Sequence, residues 1–256
     1  MAIEIKNKKN IEKIKNCGLI LAEVQKLLIE SIRPGISTLE LDQIAEGYTL
    51  SKGFLPAFKG YQEFPANICA SINDEVVHGV PSEKRILNEG DIVGIDFGVF
   101  KDEFYADAAF TFPVGEIDNI VKKLLKVTED SLFKGISNAK LGNKLFDISK
   151  AIQDCVESHG FSVVRTFVGH GIGRNLHEDP QVPNFVLQNE QRSRSINLKE
   201  GMVLAIEPMV NIGSFEVMPS KDDNDSWTVL TKDGSLSAHF EHTVAITTDG
   251  PLILTN

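Results

Sequence analysis

One order of local signals occurs twice along the 256 residues: two amphipathic helices, then a run of strands. Ile11, Ile14, Leu21, Val24, Leu27, Leu28 and Ile32 recur at spacings of three and four, which predicts a helix over 11–32 that Pro34-Gly35 stops. Ser37-Thr38-Leu39-Glu40 reads as a capping box opening a second helix to about Lys52, with Gly53 beyond its end. Strand signals then run to Pro113. Two more helices are expected near 116–134 and 143–159, closed by Gly135 and Gly160. Strands return near 163–168, 202–211, 228–231 and 239–247. Helices grouped on one face of a largely antiparallel sheet make an α+β fold. No low-complexity segment or composition break marks a linker, so 1–256 is expected to be one domain with halves of about 1–115 and 116–256. The stretches Gln188 to Ser195 and Lys221 to Asp225 read as surface loops.

A chain of this length with 42% hydrophobic residues can bury a core without disulfides. Cys17, Cys69 and Cys155 form no CxxC pair, and their odd number suits reduced thiols in the cytoplasm. A formal net charge of −10 disfavours a nucleic-acid partner. The polar start carries no signal-peptide core, and no apolar run is long enough for a spanning helix, so no membrane partner is expected.

The chemistry lies in acidic residues set among apolar ones. Asp96 sits in Gly94-Ile-Asp-Phe-Gly and Asp107 among alanines and phenylalanines, on two strand segments flanking the turn Lys101-Asp-Glu. Buried carboxylates are costly unless paired or metal-bound, so the two are either a hydrogen-bonded structural pair or metal ligands. His170 and His177 lie in a Gly-rich stretch, Gly169-His170-Gly171-Ile-Gly-Arg-Asn-Leu-His177, where the glycines let the backbone approach something closely. The Arg at 174 breaks a dinucleotide fingerprint, and the spacing after His177 is not that of a zincin helix. Glu207, in Ala205-Ile-Glu-Pro-Met, calls for either a core arginine or a metal. In Ala238-His239-Phe240-Glu241-His242, strand alternation puts His239 and Glu241 on one face and Phe240 and His242 on the other. Four carboxylates with one imidazole, Asp96, Asp107, His170, Glu207 and Glu241, suit Mn, Fe, Co or Zn. Their charge of −4 balances two divalent ions, and one ion would leave a cluster that holds protons instead. There is no G-x-S-x-G and no P-loop. Cys69 with His78 is the remaining nucleophile scheme, and a wall or core cysteine is the simpler reading of Cys69.

With these surroundings the order Asp, Asp, His, Glu, Glu resembles the type I methionine aminopeptidases. Ile72-Asn-Asp-Glu-Val-Val-His78-Gly-Val-Pro81, Gly90 to Asp96, Gly169 to Val182, Ile206-Glu207-Pro-Met and Trp227 to Thr243 are similar to the family's motifs. The resemblance implies the pita-bread fold with two pseudo-symmetric halves. It implies removal of the initiator methionine from nascent chains with a small second residue, by two metals and a bridging hydroxide. Asp96 would chelate one ion, Asp107 and Glu241 would bridge, and His170 and Glu207 would complete the second. By the same resemblance His177 contacts the scissile carbonyl oxygen, His78 contacts the amide near the leaving side, and Glu207 shuttles a proton. Phe58, Tyr61, Phe64, Cys69 and Trp227 would line the methionine pocket. Gly98 departs from the small hydroxyl residue of many members, as Leu176 and Phe64 depart from the Phe and Tyr of some. The implied partners are nascent N-termini and the ribosome that presents them, with the enzyme a cytoplasmic monomer. Prolidase-like relatives carry a further N-terminal domain, and a catalytically dead protein- or RNA-binding relative would lack a ligand. All five are present.

Overall fold

The computed structural model describes residues 3–187, 189, 191–222 and 225–256; Gln188 and Glu190 in one expected loop, and Asp223 and Asn224 in the other, lie outside them. The first half carries α1 (Lys8–Ser31), α2 (Thr38–Ser51), β1 (Leu55–Pro56), β2 (Cys69–Ile72), β3 (Glu75–Val77), β4 (Ile92–Lys101) and β5 (Phe104–Pro113). The second carries α3 (Asn119–Asn138), α4 (Leu145–Ser158), β6 (Ser162–Val163), β7 (Gly169–Gly171), β8 (Glu178–Val182), β9 (Val203–Ile206), β10 (Met209–Asn211), β11 (Val217–Pro219), β12 (Val229–Thr231), β13 (Ser237–His239), β14 (His242–Thr247) and β15 (Gly250–Ile253). The doubled order of helix pair and strands is therefore present.

The capping box of α2 is formed in both directions, Ser37 to the Glu40 N–H and the Glu40 carboxylate to the Ser37 N–H. α1 starts earlier than its apolar stripe, because the Asn7 side chain accepts the Asn10 N–H at 3.0 Å and caps it. Gly135 does not end α3, which runs on to Asn138. A Cβ at Gly135 would sit 2.8 Å from Ile152 Cγ1, so this glycine is where α3 and α4 touch. Gly160, at φ +84°, does follow the end of α4.

The strand pairings are antiparallel throughout, in four small sheets: β1-β4-β2 with β5 also on β4, β13-β10-β6, β11-β12-β3, and β15-β14-β9-β7-β8. β4 and β5 form the expected hairpin, turning through Asp102 and Glu103, both at positive φ, which matches the twist of the strands. The strand expected over 163–168 shortens to β6, with β7 beginning at Gly169. Those over 202–211 and 239–247 are each broken in two, at Glu207-Pro208 and at Phe240-Glu241.

Two large apolar clusters, with a small third one of Val76, Val77, Val164 and Met209, form the core among the described residues. The first joins Ile14, Leu21, Leu28 and Leu41 of the helices to Val93, Phe97 and Phe104 of the hairpin, and takes in Ile172, Val203, Ala245 and Leu254 from the C-terminal half. The second packs Leu124, Leu132, Ile148 and Ile152 against Leu204, Ile206, Val244 and Ile246. Phe110 touches both. No helix among the described residues is long and apolar enough to cross a membrane.

Candidate metal centre

The hairpin register pairs Gly98 with Asp107 and Asp96 with Ala109, so the two aspartates are diagonal neighbours on one face. Each influences the other's carboxyl, Asp107 raising that of Asp96 and Asp96 lowering that of Asp107. Beyond β5 the chain meets residues 239–243 through a seam made partly of hydroxyls. Thr243 Oγ1 donates to the Asp107 carbonyl at 2.8 Å and accepts the Asp107 N–H at 2.9 Å. The Glu241 N–H donates to the Ala109 carbonyl at 2.7 Å. Thr111 Oγ1 donates to the His239 carbonyl and accepts the His239 N–H, both at 2.9 Å. This seam joins the halves and brings Glu241 beside Asp107. Thr243 in turn pairs with Ala205, which pairs with His170, so a row of backbone partners runs from His170 to Asp107.

The ligand-type atoms of Asp107, His170 and Glu241, all buried, lie within 4.8 Å of one another. His170 Nε2 is 3.5 Å from Glu207 Oε1, and His239 Nε2 is 3.7 Å from Glu207 Oε2. The core arginine that sequence left open for Glu207 is not there: among the described residues its carboxylate lies beside these two imidazoles. His170 Nδ1 lies 2.9 Å from the Gly171 carbonyl, where it donates, leaving the Nε2 lone pair for the centre. The glycines flanking His170 serve neighbouring strands rather than a ligand. A Cβ at Gly169 would lie 2.3 Å from the Ala205 carbonyl oxygen, and one at Gly171 equally close to that of Asp179.

Burial holds the Asp96 carboxyl well above the usual range, with Asp107 and Glu207 adding to it. Burial and Asp107 do the same to Glu207, while burial with Asp107, Glu207 and Asp96 does so to Glu241. Asp107 is pushed up to about 7 by burial, against the pull of the Ala108 N–H and Asp96. No group among the described residues donates to Asp96 Oδ1 or Glu241 Oε1, although both are buried. Acceptors facing each other without donors fit divalent cations, and the oxygen-plus-imidazole donor set suits first-row metals. Burial keeps His170 and His239 neutral, with pKa values near 3, and His78 neutral with one near 4; His177 is also lowered by burial.

All of these groups open on one cavity of about 350 Å³. Its wall includes Asp96, Asp107, His170, Glu207 and Glu241, together with His78, His177, Phe58, Tyr61, Phe64, Cys69 and Trp227. His177 Nδ1 lies 2.8 Å from the Tyr61 hydroxyl, its ring stacked on Tyr61 and 4.2 Å from that of His170. His78 stands at φ +61°, a strained position for a non-glycine residue, edge-on to Phe167 and Trp227. Cys69 pairs with Asp96 across β2 and β4, and its buried thiol is held far above its usual pKa, first by burial and then by the carboxylates. That makes it a wall, not a nucleophile. Gly98 leaves room for Phe58, whose Cε1 a Cβ there would approach to 2.7 Å. Sequence reading passed over His239 as a site residue, though its strand parity with Glu241 pointed the same way. It also missed Gln62, Val77, Gln181 and the segment Thr166-Phe167-Val168 of the wall, which carry no comparable signal. Phe240 and His242 point the other way, against Phe110.

The model of metallopeptidase family M24 matches residues 12–248. A methionine aminopeptidase of Clostridium perfringens is 53% identical over 253 residues, covering 99% of this chain and 98% of its own. One of Clostridium acetobutylicum is 49% identical with the same coverage. The solved methionine aminopeptidase of Thermotoga maritima superposes with a TM-score of 0.95 at 43% identity, over the whole of both chains. The chain belongs to metallopeptidase family M24, and its fold is the family's pita-bread fold.

Proposed function

We propose that this chain is a methionine aminopeptidase that removes the initiator methionine from nascent polypeptides with a small second residue. The observation that carries this reading is a single cavity lined both by the carboxylate cluster and by Phe58, Tyr61, Phe64, Cys69 and Trp227. Such an apolar, polarisable wall suits a flexible thioether. The identity to relatives named for that activity supports it further. Residues 1–256 act as one catalytic domain of two halves, as the core residues shared across them suggest.

Asp96 would hold one of two divalent ions, Asp107 and Glu241 both, and His170 with Glu207 the other. When bound, ions such as Mn, Fe, Co or Zn supply Lewis acidity and a water acidic enough to be hydroxide near neutral pH. The protein's own groups do the rest. With Nδ1 accepting a hydrogen bond from the Tyr61 hydroxyl, His177 would carry its hydrogen on Nε2 and present that N–H to the scissile carbonyl oxygen. A donor aimed at developing negative charge contributes about 3–4 kcal/mol. His78, neutral and fixed by two aromatic edges, contacts the amide near the leaving side. Glu207, between His170 and His239, carries the proton to the leaving amine. The enzyme works as a cytoplasmic monomer on chains emerging from the ribosome.

The test is protein purified without added metal, titrated with Mn, Fe, Co or Zn while methionine release from Met-Ala-Ser is followed. Release should saturate at two equivalents, and Ala-Ala-Ser should be a poor substrate. No methionine release with any of the four metals would sink the reading.

A further inference from the structure

Lys6 is the one lysine or arginine buried among the described residues, with 1% of its side chain exposed, although its neighbours Ile5 and Asn7 are exposed. Its ammonium pairs with the Glu178 carboxylate and donates to the Glu4 carbonyl at 3.2 Å. Glu178 directly follows His177. Its other oxygen accepts the Asn175 N–H at 3.1 Å, so one carboxylate ties both ends of the short loop that carries His177. The Lys6 stem crosses Gly173 at the loop's start, where a Cβ would lie 2.3 Å from Lys6 Cε. The lysine is itself fixed: its N–H donates to the Gly201 carbonyl at 2.7 Å, and Asn7 caps α1.

A buried ion pair is weak support for stability, because desolvation offsets its attraction. What it does supply is a single arrangement of the groups it joins. Lys6 does not line the cavity, whereas His177, one residue from its partner, does. We infer that Lys6 is a positioning residue: the N-terminal segment straps the 173–178 loop through Glu178 and so aims the His177 ring at the substrate carbonyl. This rests on the role of His177 proposed above.

The test is a double-mutant cycle of Lys6→Met, His177→Ala and the pair, with kcat and KM measured on Met-Ala-Ser at saturating Mn and metal content checked. Lys6→Met should lower kcat about tenfold, as a small misplacement of a catalytic group does, with little change in KM or metal content. It should cost nothing further once His177 is alanine. In chelated protein the ring ¹⁵N signals of His177 should shift in Lys6→Met. An unchanged kcat in folded Lys6→Met, or equal losses in both backgrounds, would overturn the strap. A normal kcat in His177→Ala alone would remove the role of His177 itself, and the strap with it. Should Lys6→Met fail to fold, Glu178→Gln removes the charge of the same pair from the other side and is read in the same cycle with the same expectations.

Discussion

The two halves deliver their candidate metal ligands by different means. Asp96 and Asp107 stand in the middle of ten-residue strands whose register is unbroken from Ile92 to Pro113. His170 sits at a register shift in a three-residue strand, Glu207 in the break between β9 and β10, and Glu241 in the break between β13 and β14. An unbroken pleat aims every second side chain at one face at fixed spacing, which suffices for two carboxylates. Converging three more groups on the same point needs strands that stop or bulge beside the site. The N-terminal half is thus the rigid anvil, and the C-terminal half bends toward it.

Asp107→Asn tests the rigid side and carries the largest expected effect. Turnover on Met-Ala-Ser should fall more than about 10³-fold and not return at high metal, because the pleat allows no neighbouring group to move in. His170→Asn, at a strand irregularity, should lose metal affinity but regain turnover as metal is raised. If Asp107→Asn recovers and His170→Asn does not, the contrast is reversed. In chelated protein Asp107→Asn should act in the other direction, raising stability by about 0.5–2 kcal/mol in urea unfolding, since Asp107 is one cause of the raised carboxyls of Asp96, Glu207 and Glu241.

Metal removal is the next largest. Each ion bound only by the folded chain at about 100 times its Kd adds about 2.7 kcal/mol. For a chain of this size that is a Tm rise of about 5–10 °C per ion, read by calorimetry with Mn or Co against EDTA. Asp107→Asn should lose most of that rise.

Much of the site was legible because its residues contradict their surroundings. A carboxylate amid Ile, Phe and Ala has few reasons to be there, and that singled out Asp96, Asp107, Glu207 and Glu241 without any tertiary knowledge. The breaks at Glu207-Pro208 and Phe240-Glu241 were not legible, because pairing partners far along the chain decide them; the Glu241 N–H goes to Ala109, not to a neighbour in its own sheet. Lys6 was invisible for the opposite reason to the carboxylates. It sits in a run with Lys8 and Lys9 and looks like any solvated lysine until Glu178, far along the chain, is folded against it.

Glycine divides the halves in the same way, and gives the smallest effects. Gly135 of α3 read as a helix end, yet it is the contact with α4. Gly135→Ala must displace Ile152, and overpacking of this kind costs about 1–3 kcal/mol, more than the helix propensity it gains. Gly47 of α2 is exposed, with nothing within 4 Å of a Cβ. Gly47→Ala should therefore stabilise by about 0.5–1 kcal/mol, through the unfolded chain's lost freedom and alanine's helical preference. Urea midpoints of the two variants should move in opposite directions with unchanged m-values. A Gly47→Ala variant that destabilised as much as Gly135→Ala would mean that α2, like α3, is packed along the face it turns to solvent here, and the helix pairs of the two halves would then be alike.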